Sequence, residues 1–234
     1  MFPLRVVDII INIKSKRLIG PINLQIEQNG ISILLGANGS GKTTLLEALH
    51  GLRKLSAGKV EWTISHSLAA KEQAFVFQSP IMLRRTVAEN LAFPLKVRRL
   101  SKSTSTAEAM AWATKIRLEK KIKQQAVLLS GGEMQAIAVA RALITKPKML
   151  FLDEPTASLD GATKKTIEDI LISASRNGTK IVMSTHDLGQ AKRLAKDIIF
   201  LHRGLVEAHC SKEEFLTKPT SKAAKQFLAG DIVL

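Results

Sequence analysis

Residues 34–52 read LLGANGSGKTTLLEALHGL. An apolar run stops at Gly36, three glycines fall within six residues, and leucines then recur at helical spacing. Gly36, Ala37, Asn38, Gly39, Ser40, Gly41, Lys42 and Thr43 fit the pattern G-x-x-x-x-G-K-[ST], with Thr44 following. The pattern carries meaning when a strand precedes it and a helix follows, and ISILL (31–35) and TTLLEALHGL supply both. Glycine lets the backbone turn its N–H groups inward as a nest, and the helix N-terminus adds positive potential. The stretch therefore predicts a phosphate site: Lys42 reaches the outer phosphates and the Thr43 hydroxyl ligates Mg²⁺. The alternative is a glycine-rich turn that holds nothing.

A second stretch supports the first. MLFLDEP (149–155) ends an apolar strand on Asp153 and Glu154. Asp153 is suited to hold Mg²⁺ through water, and Glu154 to polarise an attacking water. Taken alone, two acids after a strand are equally a helix cap or a solvated loop. A third stretch, LLSGGE (128–133), puts Ser130, Gly131, Gly132 and Glu133 at the start of another helix, a second anion-binding end. One nucleotide does not need two such ends on one chain. The simplest use is a symmetric head-to-tail pair in which each copy offers its SGG to the nucleotide of the other.

Other segments organise the chain. DIIINI (8–13), NLQIE (23–27), FVF (75–77), KIVMST (180–185) and DIIFL (197–201) read as strands. TVAE (86–89) and STAE (105–108) read as capping boxes, so Thr86–Lys123 is expected to be helical. Gly178 is placed to end the helix before KIVMST. Strand and helix alternate, which implies a parallel sheet covered on both faces.

These stretches resemble the ABC ATPase family over nearly the whole chain. GANGSGKTT resembles its Walker A loop, LLSGGE its signature and MLFLDEP its Walker B strand. ASLD (157–160) resembles its D-loop, with Asp160 at the partner interface. STHD (184–187) resembles its switch region, with His186 facing the γ-phosphate. Gln78 sits where the family has a glutamine that reaches the metal.

The resemblance implies an α/β fold: a P-loop NTPase core with a mixed sheet, an antiparallel β subdomain and a helical signature subdomain. The core takes 1–78 and 124–234, and the helical part 79–123. It implies an ATPase with ATP and Mg²⁺ at the site and Glu154, His186 and Gln78 in the catalytic machinery. Its partners would be a second copy, integral membrane permease subunits and an extracytoplasmic solute-binding protein. The chain would sit on the cytoplasmic face of the cell membrane. The permease groove is expected near Gln78–Glu89, where Met82 and Leu83 supply either apolar contact or core. The stretches LLEALHGL and SPIMLRRTVAENLAFPLKVR are most similar to tungstate-uptake ATPases, with phosphate and amino-acid importers close behind. An exporter or lipoprotein-release ATPase is the rival, and a soluble non-transport ABC ATPase a lesser one.

Composition agrees with this reading. Hydrophobic residues make up 45% of the chain, enough for a sizeable core, and the single cysteine, Cys210, rules out an internal disulfide and fits a reducing compartment. No apolar run approaches the roughly 20 residues that span a bilayer, and the apolar-then-basic start has the wrong order for a signal peptide. The net charge of +15 fits nucleic acid, an anionic membrane surface or a solvated basic face. The basic stretches have little aromatic interleaving and the chain has no tyrosine, which argues against nucleic acid and leaves the solvated face as the simplest account. Two positions depart from the family pattern. Ala136 stands where an arginine usually follows the signature. No aromatic residue lies within Ile13–Arg17, where the family commonly stacks the adenine.

Overall fold

The structure, a computed structural model, describes residues 1–157 and 159–231. Ser158, within the ASLD stretch, lies outside the described residues.

The chain begins with two long strands, β1 (Leu4–Ile13) and β2 (Lys16–Ile26), followed by β3 (Ile31–Leu35) and α1 (Lys42–His50). Next come β4 (Ala57–Glu61), α2 (His66–Lys71), β5 (Gln73–Val76), α3 (Val87–Val97) and α4 (Lys102–Lys115). After two short 3₁₀ turns, the second half holds α5 (Gly131–Leu143), β6 (Met149–Leu152), α6 (Gly161–Arg176) and β7 (Lys180–Thr185). It closes with α7 (Leu188–Leu194), β8 (Asp197–His202), β9 (Leu205–Ser211), α8 (Lys212–Thr217) and α9 (Lys222–Ala229).

Two sheets form. The larger has six strands in the order β5-β6-β7-β3-β8-β9, all parallel except the antiparallel β9. The smaller is antiparallel, in the order β2-β1-β4. The central strands of the larger sheet are buried on both faces, and strand alternation divides their side chains between two cores. Ile33, Leu35, Leu150, Leu152, Ile181 and Met183 pack towards α5, α6 and α7. Leu34, Met149, Phe151 and Val182 pack towards α1 and the smaller sheet. A third cluster joins α3, α4 and one side of α5 through Val87, Leu91, Ala109, Ala113, Ile137 and Ala140.

The helical stretch differs from its sequence reading. Thr86 forms the expected capping box with Glu89. The second helix, however, starts earlier than STAE suggests: Ser101 is its cap, accepting from the Thr104 N–H. Ser105 lies inside α4 and is fully buried, because it falls on the inward stripe with Ala109 and Ala113 at four-residue spacing. Within Thr86–Lys123 the expected helical character holds as two helices: α3 ends at Val97, Arg99 adopts a left-handed φ of 61°, and α4 stops at Lys115, with a 3₁₀ turn after it. Met82 packs between the first and third clusters, so it serves as core. Fully buried Asn90 staples the loop before α3, its amide donating to the carbonyls of Leu83, Arg85 and Thr86.

A candidate nucleotide site at the strand ends

Strands β3, β6 and β7 are adjacent and parallel, so their C-terminal ends bring three loops together. The loop after β3 closes tightly. A Cβ on Gly36 would lie 2.2 Å from the Leu201 carbonyl oxygen, and Gly41, at φ 105°, would press one to 2.6 Å from Ile19. Only glycine fits these two positions. Lys42 opens α1 and folds back over the loop, donating to the carbonyls of Gly36 (3.0 Å) and Ala37 (3.1 Å). The Ser40 hydroxyl is buried in the same loop with no partner among the described residues.

Asp153 and Glu154 follow β6. Asp153 is buried; it accepts a 2.7 Å bond from the Thr43 hydroxyl and a 2.6 Å bond from that of Ser184. Glu154 has a φ of 41°, unusual for a residue with a side chain, and its N–H donates to Ser184 Oγ at 2.9 Å. The turn points its carboxylate at two groups: Lys42 Nζ at 3.3 Å and His186 Nδ1 at 3.1 Å. His186 follows β7 and is about half exposed. A cleft of about 470 Å³ is lined by Asn38, Lys42, Thr43, Gln78, Glu154 and His186. Of the residues expected from the sequence, Asn38, Gly39, Gly41, Lys42, Thr43, Thr44, Gln78, Glu154 and His186 line the cleft, Asp153 reaches it through Thr43, and Gly36, Ala37 and Ser40 do not line it.

Ser130, Gly131, Gly132 and Glu133 do not line this cleft. Ser130 caps α5 in a capping box with Glu133, and Lys121 holds the Glu133 carboxylate at 2.5 Å. Burial pushes that carboxyl up, but the Lys121 and Ser130 bonds outweigh it and leave it below the usual glutamate value. The N–H groups of Gly131 and Gly132, at an exposed to half-buried helix end, point away from the rest of α5. Asp160 is also outside the cleft. It caps α6, accepting from the N–H groups of Ala162 (2.9 Å) and Thr163 (3.0 Å), and these bonds lower its pKa. Ala136 is buried in the third cluster, a place where an arginine could not be solvated.

A cleft with a basic loop, a strained acid and a hydroxyl–carboxylate pair suits a nucleoside triphosphate. Residues 19–157 match the family model described as ABC transporter. The chain belongs to the ABC transporter family, as an ATP-binding subunit. This ABC ATPase is 39% identical over 186 residues to the tungstate uptake system ATP-binding protein TupC of Peptoclostridium acidaminophilum, covering 79% of this chain and 87% of that one. It is 34% identical over 231 residues to the phosphate import ATP-binding protein PstB of Campylobacter jejuni, covering 92% and 93%. It is 32% identical over 219 residues to the glutamate transport ATP-binding protein GluA of Corynebacterium efficiens, covering 88% and 90%. Among solved structures, the dimeric post-hydrolysis state of the ATP-binding cassette MJ0796, bound to ADP and Pi, superposes with a TM-score of 0.80 at 26% identity over 89% of this chain and 98% of that one. This ABC ATPase has no helix long and apolar enough to cross a membrane among its described residues.

The donors present fit Mg²⁺. Thr43 Oγ1 and Asp153 Oδ2 lie 2.7 Å apart and are hard oxygen ligands, and the Gln78 side chain faces the same cleft. Several residues of this ABC ATPase carried weaker sequence signals. Ser184 bridges Asp153 to the Glu154 backbone; it opens the STHD stretch, but no role for its hydroxyl was assigned there. Leu18 lines the cleft one position beyond Ile13–Arg17, and nothing local marked it. Gln135, on the signature helix, donates to the Phe77 carbonyl at 3.4 Å and so links α5 to the segment carrying Gln78.

Proposed function

We propose that this chain is the motor subunit of an importer for tungstate or a related oxyanion, working as a head-to-tail pair of copies on the cytoplasmic face of the cell membrane. One observation carries the pairing. The cleft gathers the phosphate- and water-handling groups yet includes none of Ser130–Glu133, so the second anion-binding helix end is left for another molecule. Here Ser130, Gly131, Gly132 and Glu133 complete the partner's site, and Asp160 sits at the same interface. The chain then works as a core, 1–78 with 124–234, and a helical unit, 79–123. Its remaining partners are membrane permease subunits and an extracytoplasmic binding protein. The oxyanion reading draws on the tungstate and phosphate relatives.

The chemistry follows from the contacts. Outer phosphate oxygens of ATP compete with Glu154 for Lys42, which stays braced by the Gly36 and Ala37 carbonyls. Glu154, held by His186, then orients a water and takes its proton. The water oxygen bonds to the γ-phosphorus as the bond to the bridging oxygen breaks, leaving ADP and phosphate. Thr43, Asp153 and Gln78 would hold Mg²⁺, which neutralises phosphate charge when bound.

The test is reconstitution of the chain with its membrane subunits in proteoliposomes. Tungstate-loaded binding protein outside should stimulate ATP hydrolysis inside and drive tungstate uptake. Stimulation by an amino acid instead would discard the oxyanion cargo, and ATP-driven export without any binding protein would discard import.

A further inference from the structure

Helices α6 and α7 meet over a buried acid. Glu168, on α6, is 7% exposed, and its carboxylate receives three hydrogen bonds. Arg193 forks onto it from α7, Nε at 2.9 Å and Nη2 at 2.8 Å, and Gln190 Nε2 donates at 3.0 Å. Gln190, 1% exposed, also donates to Thr156 Oγ1 at 2.7 Å. One turn earlier on α6, Lys164 pairs with Asp187. Asp187 in turn accepts the Gln190 N–H at 2.9 Å.

Thr156 lies two residues after Glu154, and Asp187 lies directly after His186. The network therefore ties the loop carrying Glu154 and the helix following His186 to α6, whose cap is Asp160. Glu168 is buried but the Arg193 side chain is about half exposed, so solvent screens the pair and it is a weak source of stability. Its geometry is demanding, and that is suited to fixing register.

We propose that Glu168 is a positioning residue for ATP hydrolysis. Through Gln190 and Thr156 on one side and Arg193 on the other, it holds His186 Nδ1 at 3.1 Å from Glu154. The inference rests on the roles proposed above for Glu154 and His186.

Two variants of the full chain test it. Glu168→Gln keeps an acceptor for Gln190 but loses the charged fork; Gln190→Met keeps the volume but cuts the link to Thr156. Mant-ADP titration counts competent sites, and steady-state kinetics with Mg-ATP give kcat per site and KM. A loss of register should lower kcat per competent site about ten-fold or more with KM changed less than about two-fold, since misplacement near 1 Å costs about a hundred-fold. Arg193→Lys, which keeps the charge but not the fork, should fall between these and the wild type. A purely structural role would reduce the number of competent sites and leave kcat per site unchanged. That result in Gln190→Met, or in Glu168→Gln if it folds, overturns the proposal. Glu154→Gln in the same assay separates the two levels: if it collapses turnover while the network variants do not, only the positioning role fails. If Glu154→Gln turns over normally, both fail.

Discussion

Lys42 Nζ stands 3.3 Å from Glu154 Oε1, and both side chains are almost closed off from solvent. The cation proposed to grip phosphate and the acid proposed to handle water neutralise each other across the cleft. Removing either one strands the other as a buried charge, which is costlier than losing a surface pair.

Lys42→Ala should therefore lower Mg-ATP affinity by about a hundred-fold, the scale of one or two charge-assisted bonds. Isothermal titration measures it, and unchanged affinity would remove Lys42 from the site. Adding Glu154→Gln to Lys42→Ala should recover part of any lost thermal stability, since the stranded carboxylate is gone.

Glu154→Gln alone keeps the shape of the turn and loses the negative charge. ATP should still bind while turnover falls about 10²- to 10⁴-fold, the span of general-base catalysis. Phosphate-release assays decide this, and near-normal release would reassign Glu154 to structure.

A mixture of Ser130→Arg and Lys42→Ala subunits, assembled with the membrane subunits, should regain activity that neither variant shows alone. Each such dimer holds one intact composite site. Absence of recovery at every mixing ratio, with mixed dimers verified, would count against a site shared between copies.

Base selection should be loose. The only cleft-lining residue from the segment around β2 is Leu18, and Ile13–Arg17 contains no ring. Base–aromatic stacking is worth about 1–3 kcal/mol, so its lack should leave GTP hydrolysed at a rate comparable to ATP. Competition kinetics with the two nucleotides check this; a strong ATP preference would locate base reading elsewhere in the site.

Acid should weaken the fold through three carboxylates. Burial pushes the Asp197 carboxyl up, but bonds from His209 and Ser32 and the charge of Lys180 outweigh it, leaving its pKa lowered. In the same way, bonds from Arg193 and Gln190 overcome burial at Glu168, and those from Lys164 and the Gln190 N–H do so at Asp187. A lowered folded pKa contributes stability that is fully present above the ordinary carboxylate range, about 4, and is lost as pH falls below it. Melting temperature should therefore drop as pH falls below about 4, and Asp197→Asn should flatten that dependence. An equally steep fall in Asp197→Asn would remove Asp197 from the account.

Much of the site was legible because it is local. A strand end, a turn and a helix start fall within Leu34–Leu52, and Asp153 and His186 likewise end apolar strands. Strands β4 and β9 escaped because both are edge strands, mostly exposed or half-buried: AGKVE has no apolar alternation, and in LVEAHCS the alternation rests on Val206, Ala208 and Cys210, of which two are small. The α4 boundary was misplaced because Ser101, Ser103, Thr104 and Ser105 all resemble caps, and only packing shows which one faces inward. The Glu168 network was invisible for another reason. Thr156, Glu168, Gln190 and Arg193 are scattered along the chain, and each alone reads as an ordinary surface polar residue.

Helix α5 belongs to two cores at once: Ala138, Val139 and Leu143 pack with the large sheet, while Ala136, Ile137 and Ala140 pack with α3 and α4. At 1.5 Å per residue its 13 residues make a rod of roughly 20 Å. Ser130 is at one end, and the sheet-side anchor Leu143 is at the other. Leverage follows: pivoting about Leu143 by only about 10° carries Ser130 through roughly 3 Å, the full length of a hydrogen bond. Ile137, nearer the pivot, moves about half as far as Ser130, so a tilt the packed cores take up as a shift of about 1–2 Å is large enough, at the tip, to make or break a phosphate contact.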